Sequence, residues 1–199
     1  LQNVQTAQRG PISQGVAAMA TATDMVAHAA IITKIPLSTI VAVKRRFGET
    51  GLWPTARGPN IPDLSTKNVA HLILGLLADT KAKDVSAAAC AYYSLRNSHD
   101  QTLGDILCRL LDSFKDVEEI SPVAAFAFKS RLEIDCNSPR ACLTHHCTDG
   151  NAEELFGILS KQWDDIAVRR SMTISGRSLF QFGVGIHHDH WPVGDSVIA

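Results

Sequence analysis

At 199 residues, 45% hydrophobic and 20% charged, the chain has the composition of a folded protein with room for one large core or two small ones, which excludes general disorder. No apolar run approaches the roughly 20 residues that span a bilayer; the longest, Val69 to Ala78, is interrupted by His71 and Gly75. The formal net charge of -1 conceals a basic front: residues 1–60 carry Arg9, Lys34, Lys44, Arg45, Arg46 and Arg57 against Asp24 and Glu49, a net of +4, which leaves -5 on the remainder.

The opening LQNVQTAQRG lacks the basic start and apolar block of a signal peptide. Five cysteines, Cys90, Cys108, Cys136, Cys142 and Cys147, are an odd number with no C-x-x-C pair, the usage of reduced thiols, so a cytoplasmic location is expected. The lack of an initiating Met suggests a chain that is trimmed or begins after a tag scar. Residues 1–13, broken by Gly10 and Pro11, read as a frayed arm, and QGVAAMATA, from Gln14 to Ala22, reads as a scaffold helix with Val16 and Met19 on one face.

The organising stretch is VAHAAIITKIPLSTIVAVKRRF, Val26 to Phe47. Two short helices crossing through a tight turn need a small residue where they cross, an apolar residue after the turn and apolar residues on the inner face of the second helix. Ala30, Ile35, Ile40 and Val43 fill those places. From Ile35 the chain resembles the second half of helix-turn-helix transcription regulators, through Ile35, Thr39, Ile40 and Arg45. Two departures stand out: Lys34 occupies the turn position usually held by glycine, and Pro36 replaces the usual Ser or Thr cap, which leaves Ser38 to cap one turn later. The resemblance implies a DNA-binding helix that presents Ser38, Thr39, Val41, Ala42, Lys44, Arg45 and Arg46 to double-stranded DNA.

After Phe47, GETGLWPTARGPNIPDL carries three glycines and three prolines and reads as a structured loop or small wing, pinned by Leu52 and Trp53, with Arg57 and Gly58 at an exposed tip where the arginine reaches a phosphate or a minor groove. The order of Pro36 to Arg46, ETGL at Glu49 to Leu52, Arg57-Gly58, Leu64-Ser65 and NVAHLILGLL from Asn68 looks like uncharacterised proteins of alphaproteobacterial phages and prophages, which place such a module before a helix-and-strand region.

Ser65 is a good N-cap for a buried helix bearing Val69, Leu72, Leu76 and Leu77. A second helix from about Lys83 to Arg96 carries Ala87, Ala88, Ala91 and Tyr92, and a third from about Gln101 to Glu119 spaces Leu103, Ile106, Leu107, Leu110, Leu111 and Phe114 helically. The three are expected to form a bundle. From Ala124 the period becomes two: FAFKSRLEIDC, ACLTHHC and AEELFGILS read as three antiparallel strands, joined by turns at Asn137 to Arg140 and at Asp149-Gly150. A short strand from Ser171 to Ser175 and a helix beginning near Arg177 are expected to cover this sheet, and HHDHWPVGDSVIA to be a tail.

No phosphate loop, H-E-x-x-H, G-x-S-x-G or dinucleotide fingerprint is present. Cys136, Cys142, His145, His146 and Cys147, with His187, His188 and His190 later, have the ligand chemistry of zinc. Adjacent strand residues point to opposite faces, however, so His145 and His146 do not share an ion while Cys142 and His146 do share a face. The carboxylate pairs Glu153-Glu154 and Asp164-Asp165 fit a solvated face. The expectation is therefore no metal, no cofactor and no catalysis. The fold class expected is α+β: a helix-turn-helix module with a wing-like loop over 1–60, then an oligomerisation or partner domain over 61–199 with a helical region, a three-stranded antiparallel meander and a C-terminal helix. The function expected is a sequence-specific, phage-derived transcription regulator, a dimer on palindromic DNA. The rivals are a DNA-packaging component of the small terminase kind and a metal-dependent enzyme.

Overall fold

The computed structural model describes residues 21–55, 63–115, 122–147, 150–157 and 170–187. The arm at 1–13, most of the expected scaffold helix, Arg57-Gly58, Asp149, Asp164-Asp165 and the tail beyond His187 lie outside them; His187 itself, expected to open the tail, ends the last helix. The chain is mixed helix and sheet. Helices α1 (Ala22–Thr33) and α2 (Leu37–Thr50) are followed by α3 (Thr66–Leu77), α4 (Val85–Tyr93), α5 (Leu103–Asp112) and α6 (Pro122–Phe128). Strands β1 (Ser130–Asp135), β2 (Arg140–Cys147), β3 (Gly150–Phe156) and β4 (Ser171–Ser175) precede α7 (Gly176–His187).

Local chemistry sets the helix starts. Ser65 and Asn68 form a reciprocal cap on α3, the serine oxygen accepting from the Asn68 N–H while the Asn68 side chain accepts from the Ser65 N–H. Thr102 accepts from the Asp105 N–H at the start of α5. Every residue of α3 from Val69 to Leu77 is buried, as a helix surrounded by neighbours must be. Helices α3, α4 and α5 pack on one another, but α4 and α5 are shorter than the apolar spacing predicts: Ser94 and Ser113 end them. Between them the Asn97 side-chain oxygen accepts from the His99 and Gln101 N–H groups and fixes the turn.

The sheet is four-stranded, antiparallel, in the order β3-β2-β1-β4, which corrects the expected three strands. Two differences have physical causes. The stretch from Ala124 to Phe128, expected as strand, is helical: Pro122 suits a first helical position, and the buried Ala124 and Ala127 are three apart on one face. Strand β4, expected over the sheet, lies in its plane, pairing Ile174 with Leu132 and Met172 with Ile134. The inner face carries Ser130, Leu132 and Ile134 opposite His145, Leu143 and Ala141. Helix α7 packs against α1, α5 and α6, and one apolar core runs from Met25 and Ile40 through α3 to Leu132, Phe156 and Phe182.

No described helix is long and apolar enough to cross a membrane.

Candidate nucleic-acid interface

Helix α1 begins at Thr21, whose hydroxyl oxygen accepts from the Asp24 N–H while the Asp24 carboxylate accepts from the Thr21 N–H and O–H. The helix buries Ala22, Met25, Val26 and Ala29 and stops at Lys34, which is left-handed at φ 60° and donates its N–H to the Ala30 carbonyl at 3.0 Å. The side chain that stands where glycine is usual thus adopts the strained backbone the turn needs. Thr33 helps to hold it: its hydroxyl donates to the Ala29 carbonyl at 2.6 Å and accepts from the Ile35 N–H at 3.3 Å.

Pro36 is the N-cap of α2, with no side-chain cap; Ser38 lies inside the helix and makes no cap hydrogen bond, contrary to expectation. The Pro36 carbonyl accepts from the Thr39 and Ile40 N–H groups, the first bonds of the helix, and proline brings no N–H of its own that needs a partner. Ile40, Val43 and Phe47 form the buried edge, each worth roughly 1.5–3 kcal/mol when removed from water. Ala30 and Ile35 are half-buried against the same core. Gly51, left-handed at φ 76°, ends the helix, and the Thr50 hydroxyl donates to Ser86 at 3.0 Å, tying this end to α4.

Opposite the buried edge, Ser38, Thr39, Val41 and Arg45 are exposed, while Ala42, Lys44 and Arg46 are half-buried. Positions 38, 41, 42 and 45 follow the helical repeat and make one outward stripe. The arginines at its end are not alone. Glu49 Oε2 lies 2.6 Å from Arg46 Nη1 and its Oε1 lies 3.9 Å from Arg45 Nε, so one carboxylate is shared by two guanidinium groups. That arrangement is signalled by the spacing of three and four residues, which brings side chains together on one helix face. The Arg45 side chain stays 80% exposed, so its pairing is weak.

Val41, Lys44 and Arg45 also wall an open groove of about 740 Å³, closed on its other side by Ala22, Trp53 and Thr55. Trp53 is buried, as expected of a residue that pins the loop, and Leu52 donates its N–H to the Phe47 carbonyl and accepts from the Asn68 side chain at 2.8 Å. The Trp53 indole N–H has no partner among the described residues. Of the expected contact residues the fold thus gathers seven on α2, while Arg57 lies outside the described residues.

The rival chemistries have definite settings too. No group of three His, Cys, Asp or Glu among the described residues is placed to hold a metal ion. His145 Nδ1–H donates to Ser130 Oγ at 2.7 Å, but the Ser130 hydroxyl already donates to the Phe126 carbonyl at 2.8 Å and is buried, so the imidazole fixes the serine and does not activate it. Burial holds His145 below the usual histidine range, partly offset by Glu154. Glu154 accepts from the Asn97 amide, and Glu153 is exposed. Burial pushes the Tyr92 phenol up to about 12, and its O–H donates to the Asp135 carbonyl at the turn before β2.

No protein-family model, curated protein or solved structure matches the chain.

Proposed function

We propose that the protein is a sequence-specific DNA-binding transcription regulator of the kind phages and prophages carry, acting in the cytoplasm as a homo-oligomer, with a dimer the simplest form. The observation that carries this is the division of α2 into two edges: Ile40, Val43 and Phe47 are fixed to the core, and Ser38, Val41, Ala42 and Arg45 stand outward as one stripe. A helix so held can enter a major groove without unfolding anything behind it. Val41 and Ala42 suit thymine methyl groups, and Arg45 suits the O6 and N7 acceptors of guanine. Thr39, Lys44 and Arg46 flank the stripe and serve phosphate contacts; Arg57 is assigned a backbone or minor-groove contact on sequence grounds. The net +4 of residues 1–60 against -5 elsewhere orients this end toward DNA and the acidic end away from it, toward a second subunit.

The test is selection of bound fragments from random double-stranded DNA by the full chain. Recovery of one motif with two-fold symmetry supports a dimeric regulator. Recovery of no motif over background, at a salt concentration where binding is measurable, refutes sequence-specific regulation.

A further inference from the structure

The described surface holds a second opening, a crevice of about 340 Å³ between the end of α1 and the sheet. Ile32 and Ile35 form one wall, Ile73 and Leu76 of α3 its floor, and Met172 of β4 with Phe182 of α7 the far side. No charged side chain is among its lining residues. An apolar cavity of about 150 Å³ is enough to hold benzene, and ligand sites begin at roughly 300 Å³, so the space suits one or two fused rings.

The polar groups at its rim narrow the chemistry further. The Thr33 proton is spent on the Ala29 carbonyl, and the Ser175 and Ser178 hydroxyls lie 3.1 Å apart and bond to each other. That bond uses one of the two serine protons, and Thr173, whose hydroxyl oxygen accepts from Arg131, keeps its own, so the rim offers both donors and acceptors to a single polar group. A charged ligand would lose its water here, and the one guanidinium that reaches the described rim, Arg131 on the Thr173 hydroxyl, is shared with Glu133. We infer that the crevice between α1, α3, β4 and α7 binds a neutral, one- or two-ring apolar small molecule that carries a single hydrogen-bonding group. Its occupant touches Thr33 and Ile35 on either side of Lys34, the residue whose left-handed backbone sets how the chain enters α2. The site itself does not depend on the nucleic-acid reading, and either can fail alone.

The methionines make the test direct, since Met172 lines the crevice while Met25 is fully buried elsewhere in the core. The full chain, carrying carbon-13 methyl methionine and with the Met172 signal assigned through Met172→Leu, is titrated with indole. A saturable shift of the Met172 methyl with Met25 nearly still is the expected result. Ser178→Phe, which fills the rim, should reduce that shift at least tenfold, and indole-3-carboxylate should give none on the unaltered chain. No saturable Met172 shift at low millimolar indole, equal movement of Met25, or an equal response to the carboxylate would overturn the site. The carboxylate comparison needs no variant, so it decides the matter even where Ser178→Phe does not fold.

Discussion

Gly75 is where α3 meets the inner edge of α2. A Cβ built there would lie 2.7 Å from Phe47 Cζ and 3.2 Å from a Val85 methyl, and Phe47 is 0% exposed, so its ring has no open space to swing into. Gly75→Ala therefore sets two effects against each other. Replacing glycine inside a helix gains about 0.8–1 kcal/mol, whereas overpacking a filled core typically costs about 1–3 kcal/mol. The overpacking should win, with a net loss of up to about 2 kcal/mol. In a Phe47→Leu background the colliding atom is gone, and the same Gly75→Ala change should be neutral or stabilising by up to about 1 kcal/mol. Urea unfolding of the four proteins, followed by circular dichroism, gives the coupling energy, expected at about 1–3 kcal/mol. Additivity within about 0.5 kcal/mol would refute the close approach of α2 to α3, and with it the claim that the inner edge of α2 is fixed to the body.

Three further outcomes follow from the same geometry. Replacing Arg45 and Arg46 together by Ala should flatten the dependence of log affinity on log salt by about 0.9, for the phosphate contact of Arg46, remove the guanine preference that Arg45 supplies, and lower folding stability by less than about 1 kcal/mol because both ion pairs are exposed; an unchanged slope with a large loss of stability would show that the arginines serve the helix alone. Glu49→Gln should do the reverse, raising DNA affinity severalfold as its two guanidinium groups are released to the duplex, and unchanged binding by this variant would show the shared carboxylate to be irrelevant to DNA. Burial holds both His71 and His145 below the ordinary histidine value; the folded state then binds fewer protons than the unfolded chain, so stability present at neutral pH is lost as pH falls from about 6.5 through the lowered folded values, by at most about 1.4 kcal/mol per pH unit for each histidine. His71→Phe, which keeps a ring stacked on Tyr93, should shrink that acid loss as read by urea midpoints at pH 7.5 and 5.5, and an identical loss would assign it to other groups.

Much of the helical part was legible because its signals are local. The cap at Ser65, the break at Lys34 and the spacing of Ile40, Val43 and Phe47 each depend on residues within one or two turns. The sheet was legible only where its strands are consecutive. The AAFAF run alternates as a strand does, yet its two buried alanines are spaced for a helix, and periodicity alone does not separate the two in so short a stretch. The place of β4 follows from pairing with β1 about 40 residues earlier, a choice no local pattern encodes. At the candidate interface the outward stripe was readable from the repeat of α2. Two features depended on contacts that no motif announces: the groove beside Trp53, and the crevice formed where α1, α3, β4 and α7 converge.

The central claim is that the outward stripe of α2 reads DNA. Val41 is 48% exposed at the middle of that stripe and supports nothing in the core, so Val41→Glu should leave the thermal unfolding of the protein unchanged while placing a carboxylate against base edges and phosphates. Fluorescence anisotropy with the selected motif and a scrambled duplex, at one fixed salt concentration, measures the consequence. Val41→Glu is expected to bind the motif no more tightly than the scrambled sequence; a variant that keeps the full preference of the unaltered protein would show that the stripe does not read DNA.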